Sequence, residues 1–433
     1  MTTVIEPHRL WRNSRYLTWL VSDTSKGLAA SLFGFAIPLL ALIVTNDPAQ
    51  AGIIGGAGMV ARLLMTLAGG VLADRHRRIA LMLLGSLIGI VLAGGFTLLA
   101  LGDALTFGSL LVIDVLLAAR SGLFDVAGES AIKEIVPDDA MGRAQAANQG
   151  RDAALQLAGG PLGGLLLGVG GWLVGVVMTL CHAIAALTAW LLGRQARRAG
   201  VSDAGAVADT PAPTASATKP NAWAELREGF GWLLSRPDLG GVLLITTVIN
   251  LGFNAAITTV IYALQQDGYS ELLIGTLSAS IGAVMLVGAV FAPLLVPRVK
   301  AGILAIAGLS VVSVGAIVLS MVTEPWAIAI VLGASVLLLP ALNAGMMGYF
   351  MVATPTHLLG RANSAAGVLG MGAMPLAPLI AGFGLAWIGR EWTILISAGL
   401  CLVAVALAVS NRALRALPVE SRWAEHAKQY ESA

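Results

Sequence analysis

Ionisable side chains occur inside apolar stretches that are long enough to cross a membrane. A charge at the centre of a bilayer costs at least about 2.5 to 3.5 kcal/mol on insertion scales, so such residues are functional candidates by default. They lie in the first half of the chain: Asp23, Lys26, Arg62, Asp114, Arg120, Asp125, Arg151 and Asp152. The candidates for proton coupling among them are Asp23, Lys26, Asp114, Arg120, Arg151 and Asp152. In the second half the polar side chains of such stretches are neutral: Asn250, Asn254, Tyr262, Asn343 and Asn363. The candidates to line a cavity are Arg62, Asn250, Asn254, Tyr262 and Asn343. Ion coupling is therefore expected in the first half.

The first of these groups is a closely spaced pair. Asp23 and Lys26 lie three residues apart, so on a helix they share a face and could neutralise each other. Asp23 lies seven residues after the start of its apolar run at Tyr16, which makes it a candidate proton acceptor. The alternative for each buried charge is a purely structural network of ion pairs.

Composition predicts an integral membrane protein. Of 433 residues, 57% are hydrophobic and 12% are charged, against about 25% charged in soluble proteins. About 20 apolar residues on a helix cross a hydrocarbon core of about 30 Å. Twelve such spans can be placed, at residues 16–44, 51–73, 79–101, 105–128, 143–168, 171–193, 239–264, 272–296, 301–322, 326–353, 361–387 and 392–411.

The distribution of basic residues predicts the topology. Of the 26 Lys and Arg residues, four lie within spans and Arg390 lies on a predicted outer turn, which leaves 21 on the opposite side. Because cytoplasmic loops carry the excess of Lys and Arg, both termini are predicted to be cytoplasmic. The predicted organisation is a six-helix bundle at 1–193, a linker at 194–238, a second bundle at 239–412 and a cytoplasmic tail at 413–433.

The linker is predicted to contain an amphipathic helix. Trp223, Leu226, Phe230 and Leu233 recur at spacings of three and four residues. Such a stripe favours a helix lying on the inner membrane surface. The alternative is a helix packed on the second bundle.

The turn between the second and third spans carries a basic motif, GGVLADRHRRIAL, from Gly69 to Leu81. The order of residue types resembles the signature loop of the major facilitator superfamily. This resemblance implies an all-α integral membrane fold in which twelve transmembrane helices form two pseudo-symmetric six-helix bundles. The matching residues are Gly70, Leu72, Ala73, Asp74, Arg75 and Arg78.

An internal repeat agrees with the two bundles. Residues 136–137 and 142–144, Val-Pro and Gly-Arg-Ala, recur as Thr-Pro and Gly-Arg-Ala at residues 354–355 and 360–362, at a constant offset of 218. Parallel repeats of this kind are typical of the two halves of facilitator-superfamily transporters.

The resemblance also implies a cytoplasmic gate. In the family, the aspartate of the loop caps the facing end of helix eleven and its arginine engages an acid of helix four. Asp74 would then lie near Arg361, where a helix N-terminus favours an acid, and Asp125 or Glu129 would receive Arg75. Pro293 stands where the second repeat would have its aspartate, so the corresponding latch in the second half is expected to be weak.

Two further similarities favour an antiporter. Arg120 resembles the helix-four arginine of the family's antiporters, where a buried cation tunes the protonation of a nearby acid. A run in the fifth span resembles their glycine and proline motif, although small residues also serve ordinary helix packing. The run comprises Gly159, Gly160, Pro161, Gly163 and Gly164.

The predicted function is export of a small amphipathic molecule in exchange for protons. Residues 226–230, with Arg143 and Ala144, resemble the branch of macrolide-efflux and enterobactin-exporter proteins. The chain has no Gly-x-x-x-x-Gly-Lys-Ser/Thr loop, so a proton gradient rather than ATP is the expected energy source. No cofactor or metal is expected. The expected partners are substrate, protons and lipid, without nucleic acid, for a monomer in a bacterial inner (plasma) membrane.

Three other functions are alternatives to export. A proton symporter importing a small nutrient would use the same fold and the same acids. A membrane-embedded enzyme is disfavoured, because His182 has no His, Asp or Ser partner at helix-face spacing in its span. A signalling protein of transporter descent is disfavoured because no appended soluble domain is apparent in the sequence.

Overall fold

The structure, a computed structural model, describes residues 12–136, 138–198, 222–355 and 358–430, and the elements assigned in these ranges are helical. Eleven of the described segments are helical, long and apolar enough to cross a membrane. The remaining predicted span, 105–128, lies on a helix of 29 residues, about 43 Å long at 1.5 Å per residue. The all-α membrane architecture is therefore confirmed.

The chain divides into two compact units. The first comprises Met1–Val44, Ala57–Ala217 and Ser270–Gly275, and the second comprises Thr45–Gly56, Thr218–Tyr269 and Thr276–Ala433. The first six helices are α1 (Ser14–Thr45), α2 (Pro48–Arg75), α3 (Arg78–Leu101), α4 (Phe107–Ile135), α5 (Asp138–Val169) and α6 (Gly171–Arg198).

Close helix packing in the first unit depends on small residues. A Cβ at Gly122 of α4 would collide with the Arg62 carbonyl of α2, and one at Gly85 of α3 would lie 2.5 Å from Phe124 Cβ of α4. Small residues let the backbones of membrane helices approach, which gains dispersion energy where no hydrophobic force favours contact. The glycine-rich composition thus places α4 tightly between α2 and α3.

The second half of the chain forms eleven described helices. They are α7 (Ala222–Ser235), α8 (Pro237–Gln266), α9 (Glu271–Leu295), α10 (Ala301–Met321), α11 (Pro325–Val336), α12 (Leu339–Ala353), α13 (Leu359–Gly372), α14 (Leu376–Trp387), α15 (Gly389–Ser410), α16 (Arg412–Ala416) and α17 (Trp423–Lys428), with a 3₁₀ turn at Glu420–Arg422. In the second unit, α8 packs against α14 and α15, and α15 packs against α10.

Two predicted spans are interrupted, which corrects the expectation of continuous helices. The span predicted at 326–353 consists of α11 and α12, and Pro340 lies in the first turn of α12. The span predicted at 361–387 consists of α13 and α14, and Pro375 immediately precedes α14. Proline lacks an N–H group and its ring clashes with the carbonyl four residues earlier, so each helix ends before its proline.

The linker helix α7 packs against α13 and α8 in the second unit. Leu233 is fully buried, and a Cβ at Gly229 would lie 2.5 Å from the Arg361 carbonyl oxygen. Arg361 also donates a hydrogen bond to Glu228 at 2.6 Å. These contacts support the alternative of a helix packed on the second bundle, whereas its placement on a membrane surface stays a prediction. The side chains of Trp223 and Leu226 lie outside the described residues.

A buried polar cluster joins the start of α8 to the end of α12. The Asp238 carboxylate is 0% exposed and accepts two hydrogen bonds from Arg236, at 2.9 and 2.8 Å. Its Oδ2 also accepts the Tyr349 hydroxyl at 2.6 Å. Arg236 further donates to the Ala353 carbonyl at 3.4 Å. The pair is thus fully satisfied, as a buried charge requires.

The C-terminal tail docks on this cluster. The Trp423 ring covers Gly348, where a Cβ would lie 2.7 Å from ring atom Cζ3, and its Nε1 donates to the Pro418 carbonyl at 3.1 Å. The His426 ring lies 6.0 Å from the Tyr349 ring. The Arg236 guanidinium lies 5.7 Å from the centre of the Tyr430 ring. The tail is therefore a packed part of the second unit.

We predict that Trp423→Ala releases the tail. Truncating a buried Trp costs about 3 to 5 kcal/mol, which exceeds what the remaining contacts of a short helix supply. A nitroxide on Gln429→Cys measures tail mobility by electron paramagnetic resonance, since the native Cys181 and Cys401 are buried. Trp326→Ala, at a side chain 67% exposed, is the control and should leave the label immobile. An immobile label in Trp423→Ala would contradict the docking described.

The mobility of the same label should depend on pH through the protonation of His426. Burial lowers the pKa of His426 from its ordinary 6.5 and Asp238 acts in the opposite direction, while Arg236 adds to the lowering. A detached tail regains the ordinary pKa, so docking is strongest above about pH 6.5 and weakens as pH falls below that value. His426→Gln should flatten the profile. An unchanged profile in His426→Gln would assign the effect to another group.

Candidate functional site

A polar cavity of about 670 Å³ lies within the first unit, between α1, α2, α4 and α5. This volume falls in the range of about 300–1,000 Å³ that is typical of small-molecule sites. Four acidic side chains line it, Asp23, Asp125, Glu129 and Asp152, and three basic ones, Lys26, Arg62 and Arg151. Arg120 touches Asp125 from outside the lining. Counting Arg120, the formal charges balance.

Asp23 lies at the centre of the charge network. Its Oδ2 is 2.7 Å from Arg151 Nη1 of α5, and its Oδ1 is 3.1 Å from Lys26 Nζ on its own helix. The ion pair expected from the spacing of Asp23 and Lys26 is thus present. Arg151 also holds Asp152 through its Nη2 at 2.8 Å and its Nε at 3.0 Å. One carboxylate therefore compensates two cations on different helices.

Asp125 extends the network to α4. Ser121 donates a hydrogen bond to Asp125 Oδ2 at 2.5 Å. Lys26 Nζ and Arg120 Nη2 lie 3.9 and 3.8 Å from its two oxygens. Arg120 also donates to the Gly85 carbonyl of α3 at 3.4 Å. The network thus runs from α5 through α1 to α4, and Arg120 connects it to α3.

Trp19 contacts the network through Arg151 and α4. Residue type alone did not indicate this role. Its Nε1 donates to the Gly128 carbonyl of α4 at 2.9 Å. The Arg151 guanidinium lies 5.9 Å from the centre of its ring, within the range of a cation–π contact. The Trp19 side chain thereby links α1 to both α4 and α5.

Neutral amides complete the wall on α5, and sequence reasoning missed them. Gln145, Asn148 and Gln156 line the cavity with Asp152. Their spacings of three, four and four residues place them on one helix face. Reading polar periodicity instead of charge alone would have found this face.

Two charged groups at the cavity have no ion pair within 4.0 Å among the described residues. They are Arg62 on α2 and Glu129 on α4, and both are exposed to the cavity. Asp152 forms an ion pair with Arg151, but 57% of its side chain remains exposed. These three groups are therefore the ones available to a bound molecule.

Asp114 lies apart from the network, although it was predicted with the same candidates. It is 5% exposed on α4 and is not part of the cavity wall. The neutral candidates of the second half belong to the second unit. There Asn250 donates to the Gly370 carbonyl at 3.3 Å and Asn254 to the Asn250 carbonyl at 2.8 Å, Tyr262 is buried, and Asn343 is exposed.

The described gate residues differ from the expected pairing. Asp125 faces Lys26 and Arg120, and the loop reaches α4 through Arg78, which lies 3.0 Å from Glu134 and donates to the Ser130 carbonyl at 3.2 Å. The reason is distance along α4, because Asp125 lies ten residues, about 15 Å, before the helix end at Ile135. Arg75 is exposed, and the Asp74 side chain lies outside the described residues.

The glycine and proline motif of α5 serves helix packing. A Cβ at Gly159 would collide with Ser31 Oγ of α1, and one at Gly163 would lie 2.7 Å from Phe35 Cδ1. Gly164 adjoins the Glu271 carbonyl, in the short segment that clusters with the first unit. Pro161 lies inside the continuous helix. This packing places α5 close enough to α1 for Arg151 to reach Asp23.

A family model described as Major Facilitator Superfamily matches residues 24–378. The chain belongs to this superfamily. It is thus a multi-pass membrane transporter, and the resemblance of the loop at Gly69–Leu81 is confirmed.

Two curated relatives are enterobactin exporters. The enterobactin exporter EntS of Escherichia coli O127:H6 (strain E2348/69 / EPEC) is 28% identical over 416 residues, covering 89% of this chain and 92% of the relative. The protein of the same name from Salmonella choleraesuis (strain SC-B67) is 27% identical over 415 residues, with the same coverage. The chain is therefore similar to bacterial exporters along nearly its whole length.

Solved structures agree on the fold. A bacterial homologue of the iron transporter ferroportin, in an inward-facing state, has a TM-score of 0.66 at 14% identity and covers 91% of this chain and 97% of its own. A bacterial homologue of the human lysosomal transporter Spinster has a TM-score of 0.62 at 15% identity, covering 97% and 98%. At these identities the likeness concerns the fold alone.

We predict that the acids of the network contribute unequally to the free energy of unfolding. Asp23→Asn leaves both Lys26 and Arg151 without a full partner and should cost about 3 to 5 kcal/mol, as for other broken buried pairs. Adding Lys26→Met should recover part of this loss, because Arg151 keeps Asp152. Asp152→Asn, at an exposed pair, should cost about 1 kcal/mol or less. Equilibrium unfolding in detergent micelles measures all three, and equal losses in Asp23→Asn and Asp152→Asn would contradict the network.

Proposed function

We propose that this transporter exports small amphipathic molecules in exchange for protons, by alternating access. The observation that carries the proposal is the balanced charge network lining the cavity of the first unit, with Asp23 between Lys26 and Arg151. A charged molecule entering a balanced cavity must displace one of its ion pairs. Binding of substrate and rearrangement of charge are therefore linked in one site.

The free groups suggest how a substrate is held. Arg62 can pair with an anionic group, while Glu129 and Asp152 can accept hydrogen bonds from donors. The amides of Gln145, Asn148 and Gln156 can both donate and accept. Such a wall fits a polar molecule with several hydrogen-bonding groups, and export is favoured because the curated relatives are enterobactin exporters.

A proton gradient is sufficient to drive this transport. One proton moving down 100 mV supplies about 2.3 kcal/mol, enough to sustain about a 40-fold concentration ratio of substrate. The transported proton is bound by one of the membrane-embedded acids, Asp23, Asp114 or Asp152. The protein acts as a monomer without a cofactor, with both termini in the cytoplasm. Uptake of a nutrient by proton symport would use the same acids and is the alternative that the following experiment separates.

We expect substrate-triggered proton release from inside-out vesicles energised to an acid interior. A pH-sensitive dye reports internal alkalinisation as drugs, macrolides and siderophores are added singly. Asp152→Asn should lower the response by about tenfold or more, the effect of about 1.4 kcal/mol, because Arg151 then loses an acceptor at the cavity. Gln149→Ala is the control, since Gln149 is exposed on the same helix outside the cavity wall.

The opposite result would favour import. If no compound changes the vesicle signal, and whole cells accumulate a nutrient against its gradient only when the protein is expressed, the export proposal is wrong. A response of equal size in Asp152→Asn and the parent protein would place the site elsewhere.

A further inference from the structure

Asp114 is a buried carboxylate that has no hydrogen-bond or ion-pair partner among the described residues. It is 5% exposed, and its Oδ2 has no hydrogen-bond partner in the part of the chain that the structure describes. Within the same ranges, no Lys, Arg or His lies within 4.0 Å of it in an ion pair. By contrast, Asp23, the acid of the network that is similarly buried, lies 3.1 Å from Lys26 and 2.7 Å from Arg151.

The contact that faces Asp114 is unusually tight. Gly58 of α2 lies against the carboxyl group, and a Cβ at that position would collide with Asp114 Oδ2 and lie 2.8 Å from Cγ. The glycine thus gives the carboxyl group room without offering a side-chain donor. Because Asp114 is 5% exposed, little of its surface is open to hydrating water.

The neighbouring charges belong to other contacts. Arg62 lies one turn beyond Gly58 on α2 and borders the cavity. Arg120 lies six residues beyond Asp114 on α4, about 9 Å along the axis, and is engaged by Asp125 and the Gly85 carbonyl. His182 of α6 is packed against Gly89 of α3. None of these groups forms an ion pair with Asp114.

Burial without a partner favours the uncharged form of a carboxyl group. Asp23 and Asp125 differ in this respect, because each lies within 4.0 Å of two cations of the network. Glu129 has no ion pair with a described residue, but it faces the cavity, where it can be hydrated. Among the membrane-embedded acids described, Asp114 therefore has the surroundings that most favour the protonated form.

We propose that Asp114 binds the transported proton, whereas the network binds the substrate. This assignment rests on the proposed function and deepens it. An O–H bond forms at the Asp114 carboxyl group when a proton arrives from the outer side, and the same bond breaks when the proton is released toward the cytoplasm. No electron is transferred. With the predicted topology, Asp114 lies seven residues from the outer end of α4 at Phe107, about 10 Å.

The protonation state can be measured without a substrate. Infrared absorption spectra of the purified protein near neutral pH should contain the carbonyl stretch of a buried, protonated carboxylic acid. Asp114→Asn should remove that band and Asp152→Asn should retain it. Asp114→Glu should keep a shifted band, which guards against the possibility that the amide variant alone perturbs folding. A band that persists in Asp114→Asn, or that is absent from the parent protein, would overturn the proposal.

The transport measurement completes the test. In the vesicle assay, Asp114→Asn should still exchange substrate across the membrane but should lose its response to the pH gradient, and Asp114→Glu should recover part of that response. A structural role would lower both activities together. Gradient-driven export that survives in Asp114→Asn would overturn the assignment. Transport by the parent protein that ignores the gradient would instead overturn proton antiport, whatever the infrared band shows.

Discussion

The first unit depends on the compensation of charge inside a membrane. Asp23 compensates two cations at once, because it lies 2.7 Å from Arg151 and 3.1 Å from Lys26. Without it, two cations would lie in a low-dielectric environment with weaker partners. A buried pair is weak evidence for net stability, but removing one member is costly. The helices α1, α4 and α5 are therefore joined by ion pairs as well as by packing.

The two units handle buried charge differently. In the first unit the charges line a cavity that a molecule can enter. In the second, the described charged cluster of Arg236 and Asp238 is sealed by Tyr349 and by the C-terminal tail, so that no ligand-accessible surface remains around Asp238. A satisfied and inaccessible pair fixes local structure, whereas a satisfied but accessible network can exchange partners. This contrast supports placing substrate recognition in the first unit.

Much of this arrangement could be predicted from the sequence, and the failures have physical causes. Apolar length predicts the spans because each helix satisfies its own backbone hydrogen bonds in lipid, and a spacing of three residues predicts the Asp23–Lys26 pair. The pairing of Arg151 with Asp23 depends on how closely α5 approaches α1, which spacing along one helix cannot show. The same limit applies to the expected pairing of Arg75 with Asp125 or Glu129. The interruptions at Pro340 and Pro375 were signalled by residue type, but proline is tolerated within α5 at Pro161, so the residue alone does not decide.

Separating the proton from the substrate resolves a difficulty of charge balance. Protonating Asp23 would leave Lys26 and Arg151 under-compensated in the cavity, at the same electrostatic cost as removing the carboxylate. Protonating Asp114 leaves the network balanced, because no cation of the described residues forms an ion pair with it. Ionising Asp114, in turn, requires water at a contact that Gly58 now closes. Since Asp114, Arg120 and Asp125 share α4, a shift of this helix that admits water to Asp114 also moves two members of the network. Under the proposed assignment, loss of the proton and rearrangement of the substrate site are coupled mechanically through one helix rather than by direct competition for one carboxylate.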